Sequence, residues 1–80
     1  MSEIEIEYCV PCGMRDRAAD LQDAILEAFG QEIDRVALKT GDDGVFEVRF
    51  DGELVFDKDE EAYDVDAIVE TLREHHAAAA

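Results

Sequence analysis

Basic residues are scarce in this chain. Lysine occurs only at Lys39 and Lys58, and seven lysines and arginines face twenty-two aspartates and glutamates over 80 residues, for a net charge of -15. With no basic patch to displace counterions, binding to nucleic acid or to an anionic membrane surface is strongly disfavoured. No apolar run approaches the roughly 20 residues of a membrane-spanning helix, and Met1-Ser2-Glu3 opens without the basic and hydrophobic regions of a secretory signal. These absences predict a cytoplasmic protein. Proline occurs once, at Pro11, and cysteine twice, at Cys9 and Cys12, all in one short stretch. In a reducing compartment a close pair of thiols reads as redox-active or metal-binding rather than as a structural staple.

The acidity is not that of a disordered chain, because 48% of the residues are hydrophobic and they recur periodically. Acidic side chains are spread along the whole length, and at this charge self-repulsion is costly unless screened. In molar salt the Debye length falls to about 3 Å, so the composition predicts a halophilic source. Eighty residues make one domain. Its expected extent is 1–76, followed by an alanine tail, 77–80, that frays.

Residues 3–8 alternate strictly, placing Ile4, Ile6 and Tyr8 on one face and three glutamates on the other, as in a strand covered on one side. From Gly13 the period changes. Met14, Ala18, Leu21, Ile25 and Phe29 form the apolar stripe of an amphipathic helix ending at Gly30. Residues 33–39 read as a second strand with Val36 and Leu38 inward, and strand, helix and strand together predict a parallel crossover unit. After a turn at 40–44, residues 45–50 and 53–57 flank Asp51-Gly52, a strong hairpin signal. The hairpin register leaves two outcomes open. A two-residue loop puts Leu54 and Phe56 on the open face as a possible partner surface, and a bulge residue returns both to the core. A charged connector, 58–62, then leads to Asp64 as N-cap of a second amphipathic helix carrying Val65, Ile68, Val69 and Leu72. The predicted architecture is α/β, in the order β-α-β-β-β-α, with two helices on one face of a four-stranded mixed sheet.

A Cys-x-x-Cys that closes the first strand and opens the first helix of a β-α-β unit is a thioredoxin-like arrangement. Pro11 suits a first helical turn, and the free amides and dipole of that terminus would stabilise a thiolate. The chain further resembles selenoprotein W and the wider Rdx family. The likeness rests on Tyr8-Cys9-x-x-Cys12-Gly13, on Gly44-Val45-Phe46-Glu47-Val48, on Gly52-Glu53-Leu54-Val55-Phe56-x-Lys58, and on Tyr63-Asp64 before the last helix. Cys12 matches the position held by selenocysteine in the selenoprotein members, and the acidity suggests a haloarchaeal, cysteine-containing form. The resemblance implies thiol-disulfide oxidoreductase activity toward protein or low-molecular-weight thiols and disulfides.

The catalytic pair expected is Cys9 and Cys12, supported by the loop residues Tyr8, Val10, Pro11, Gly13 and Arg15, with no cofactor and no metal. Tyr8 is expected mainly as a strand-end core aromatic. Arg15 and Arg17 either offset negative charge beside the thiols or are simply exposed helix residues. A zinc site requires four ligands, and the remaining candidates, His75 and His76, are adjacent on a helix and diverge by about 100°; they are expected to be solvated. Placing Cys9 at the helix N-cap favours it as the attacking sulfur with Cys12 resolving, whereas the resemblance, with selenium at the position of Cys12, implies that the reactive atom can sit there instead. The alternative function is a thioredoxin-fold interaction module whose open sheet face or hairpin binds a partner, with the cysteines only modulating it.

Overall fold

The computed structural model describes residues 2–79. In chain order they form β1 (Glu3–Cys9), α1 (Arg15–Phe29), a short 3-10 turn (Gly30–Glu32), β2 (Arg35–Gly41), β3 (Phe46–Phe50), β4 (Glu53–Asp57) and α2 (Val65–Ala79). The strands make one four-stranded mixed sheet, as predicted, and their order in it is β2-β1-β3-β4. β1 runs parallel to β2 and antiparallel to β3, and β4 is antiparallel to β3.

Alternation in β1 fixes the two faces. Ile4, Ile6 and Tyr8 point toward the helices, and the register sets Val36 and Leu38 of β2 and Phe46, Val48 and Phe50 of β3 beside them. Ala18, Leu21, Ile25 and Phe29 of α1, with Ile68 and Leu72 of α2, close this core from one side. Each fully buried leucine, isoleucine or phenylalanine contributes roughly 1.5–3 kcal/mol relative to exposure, and these stripes are what dock the helices. α1 stops where Gly30, at φ 57°, leaves helical geometry and its N–H bonds to the Leu26 carbonyl. Asp64 caps α2, its side chain accepting the Ala67 N–H at 3.2 Å. The alanines continue that helix through Ala79 rather than setting a boundary at residue 77. The rest of the expected tail, Ala80, lies outside the described residues.

The other face of the sheet is open and charged. Glu3, Glu5 and Glu7 run up its middle, with Arg35–Glu3 at 3.6 Å, Lys39–Glu7 at 4.0 Å and Arg49–Glu47 at 3.1 Å. Pairs this exposed contribute about 0.2–1 kcal/mol each, so they align charges more than they hold the sheet. Among the described residues no helix is long and apolar enough to cross a membrane.

The hairpin settles its register in a way neither sequence alternative contained. Asp51 and Gly52, at φ 52° and 88°, make a two-residue loop that pairs Phe50 with Glu53. The irregularity lies inside the strand: Arg49 pairs with Leu54 and Val48 with Phe56, leaving Val55 as the inserted residue. One inserted residue exchanges the faces of everything beyond it. Phe56, 5% exposed, joins the core, and Leu54, 43% exposed, stays on the open face. The expected partner surface at Leu54 and Phe56 therefore loses Phe56.

Candidate active site

Parallel pairing of β1 with β2 continues through Tyr8↔Thr40 and Cys9↔Gly41, two residues beyond the expected end of the second strand. Cys9 is thus held extended as the last residue of β1. Val10 donates its N–H to the Gly41 carbonyl at 3.0 Å, and the chain then turns, with the Gly13 N–H reaching the Val10 carbonyl at 3.1 Å. Pro11 takes the second position of this turn, where its fixed φ fits, and Gly13 adopts φ 73°, which favours glycine. α1 begins only at Arg15, with Met14 as an N-cap that supplies no side-chain hydrogen bond. The expected placement of Cys9 at the N-cap and of Pro11 in the first helical turn is corrected here. A left-handed Gly13 cannot be helical, so both cysteines precede the helix.

The two sulfurs are at bonding distance and joined as a disulfide, with Cα atoms 5.3 Å apart. Their surroundings differ sharply. Cys9 is 0% exposed at the end of β1, whereas Cys12 is exposed on the turn beside Pro11 and Val10, the latter 50% exposed. Cys12 is the residue open to solvent, whereas an N-capping Cys9 would be the accessible one.

A second turn crosses above this pair. Because β1 lies between β2 and β3, the connection from β2 to β3 passes over the end of β1. Residues 42–45 make that crossing, with the Val45 N–H on the Asp42 carbonyl at 3.2 Å and with Asp43 and Gly44 both at positive φ, 57° and 77°. Beneath it, a side chain at Gly41 would displace its neighbours. A Cβ there would lie 2.7 Å from Val45 Cγ1 and 2.9 Å from Glu7 Oε2. The sequence shows a glycine-rich turn at this point, but the close approach of Gly41 becomes visible only once the strand order is known.

On the helix side, Tyr63 donates its hydroxyl to the Arg17 carbonyl at 3.3 Å, and the Arg17 guanidinium sits 4.7 Å over the Tyr63 ring. That ring meets Phe46 edge-on at 5.4 Å, and Phe46 stands directly opposite Tyr8. Tyr63 therefore ties the first turn of α1 to the end of the strand that carries Cys9. Burial pushes its hydroxyl pKa above the ordinary range; the charge of Arg17 opposes this and that of Asp20 adds to it. Tyr8 is a buried core aromatic, as expected. Arg15 is exposed at the start of α1, and Arg17 is engaged by Tyr63.

The histidines belong to the opposite end. His75 and His76 pack against Phe50 at 5.0 Å and 6.0 Å, and His76 also meets Phe29 edge-on at 5.8 Å. Their side chains, 27% and 26% exposed, approach Glu53 at 3.8 Å and Glu32 at 3.5 Å. They are partly covered rather than fully solvated, because the last turns of α2 lie over the aromatic end of the core.

Residues 3–74 match the Rdx family. The chain belongs to that family. Among solved structures, this Rdx chain is similar to a selenoprotein W-related protein from Vibrio cholerae, with a TM-score of 0.89, 28% identity, and coverage of 94% of this chain and 96% of that one. It is also similar to a protein from Bordetella parapertussis, with a TM-score of 0.87, 30% identity, and coverage of 92% and 96%. Over 56 residues, 69% of this chain, it is 39% identical to migration and invasion enhancer 1 from Bos taurus and, equally, from Mus musculus. The aligned region spans about half the length of those mammalian relatives, 46%.

Proposed function

We propose that the protein is a small thiol-disulfide oxidoreductase in which Cys12 exchanges with the substrate and Cys9 resolves the adduct. The observation that carries this reading is the asymmetry of the pair: two sulfurs at bonding distance, one sealed at a strand end and one exposed on a turn. In the reduced protein the Cys12 thiolate, its proton given to solvent, attacks one sulfur of a disulfide. The substrate S–S bond breaks, and the departing thiolate takes a proton from water. The Cys9 thiolate then attacks Cys12 Sγ, re-forming the internal disulfide and releasing the second thiol, so that two electrons pass from protein to substrate. A reducing, cytoplasmic compartment suits such a couple, with protein or low-molecular-weight thiols as its exchange partners.

Single-cysteine variants test the assignment. Cys9→Ser leaves Cys12 without its resolving partner and should accumulate a stable mixed disulfide with a small-molecule disulfide, seen by intact mass. Cys12→Ser leaves only the buried sulfur and should trap at least tenfold less in the same time. Equal trapping, or trapping by Cys12→Ser alone, would overturn the roles.

A further inference from the structure

The end of the molecule that presents Cys12 carries more acidic than basic side chains. The crossover turn, joined to the cysteine turn through the Val10–Gly41 hydrogen bond, exposes Asp42 and Asp43. The segment after β4 exposes Asp59, Glu60 and Glu61 at the same end, since the Lys58 N–H bonds to the Phe46 carbonyl where β3 begins. Against these five acidic side chains stand Arg15, exposed at the start of α1, Lys58, half-buried, and Arg17, whose guanidinium lies over the Tyr63 ring, so acidic charge is in excess. Directly beside the reachable sulfur the surface is apolar, made by Val10 and Pro11.

We infer that this site selects cationic disulfides, that is, cystine flanked by basic and apolar side chains, over anionic ones such as glutathione disulfide; the inference rests on the oxidoreductase reading above. A thiolate attacking a disulfide gathers negative charge along the line of three sulfurs. An anionic substrate adds its own charge to that of Asp42 and Asp43, and a cationic substrate offsets it. Val10 and Pro11 give an apolar neighbour of the cystine a surface to cover. Clefts lined by one sign of charge shift association rates by about 10- to 1,000-fold, and the open turn here belongs at the low end of that range.

The test is a single turnover of the pre-reduced protein with cystamine, hydroxyethyl disulfide and glutathione disulfide, cationic, neutral and anionic in turn. Each rate is divided by that of free cysteine with the same disulfide, and the measurement uses the lowest KCl concentration at which circular dichroism shows the folded protein. The expected order is cystamine, then hydroxyethyl disulfide, then glutathione disulfide, with about tenfold between the extremes. Asp42→Asn with Asp43→Asn should narrow that ratio at least twofold, and asparagine tolerates the positive φ of residue 43. Equal normalised rates, faster reaction with glutathione disulfide, or a ratio unmoved by the double substitution would each overturn the selectivity. No oxidation by any of the three, with the reduced protein folded, would instead overturn the oxidoreductase reading beneath it.

Discussion

A single hydroxyl, that of Tyr63, joins the helix after the cysteines to the core beside them. In Tyr63→Phe the ring would remain between Phe46 and Arg17, and only the 3.3 Å bond to the Arg17 carbonyl would be lost. The expected cost is about 0.5–1.5 kcal/mol, read as a lower urea midpoint. Its pH dependence has a definite sign. Because burial raises the folded-state pKa above the ordinary value of 10.0, the protonated hydroxyl contributes fully below that value and its contribution is lost as pH rises through the folded one. The difference between the wild type and Tyr63→Phe should therefore hold constant from neutrality to about pH 9 and shrink only above that. A difference already absent at neutral pH would mean that the hydroxyl is not bonded in solution.

At the scale of elements, the bulge at Val55 separates two side chains that sit two positions apart and look alike in sequence. Phe56→Ala removes a buried ring and should cost about 3–5 kcal/mol, a large share of the roughly 5–15 kcal/mol total of a small domain. Leu54→Gln changes an exposed position and should stay within about 0.5 kcal/mol. Denaturant unfolding of the two variants compares them directly, and equal costs would place the inserted residue elsewhere. Helices were more legible than this strand. The α1 stripe from Ala18 to Phe29 and the Asp64 cap repeat local patterns that are written within a few turns of chain, whereas the face of a hairpin residue depends on pairing with a second strand.

For the whole molecule the governing quantity is the charge of -15 on 80 residues. On the sheet, Glu7 stands directly opposite Glu47, and Glu47 opposite Asp57, a row of like charges across three strands that Lys39 and Arg49 temper. Screening should therefore stabilise the fold, with Tm rising by several degrees or more between dilute buffer and molar KCl. A Tm independent of KCl would remove the expectation of a halophilic source. The same field disfavours thiolates, so the reduced pair gains little from ionisation and the couple should be a reductant. We expect a potential nearer about -270 mV than about -120 mV in glutathione titrations. The higher value would mean that local donors around Cys12 outweigh the global charge.

The sequence by itself determined the element order, the two-faced sheet, the family and the closeness of the two cysteines. Each of these rests on spacing along the chain: period two in β1, steps of three and four in α1, and two cysteines three residues apart. Tertiary structure decided which cysteine faces outward. Pairing of Cys9 with Gly41 keeps β1 extended to its end, and the left-handed Gly13 delays the helix to Arg15, so the buried and exposed sulfurs exchange the places that a helical reading gives them. It also decided the closeness of Gly41 to Glu7 and Val45, the grip of Tyr63 on Arg17, and the split between Leu54 and Phe56. All of these join residues distant in sequence or depend on strand pairing, and no local period encodes which strand will lie beside which.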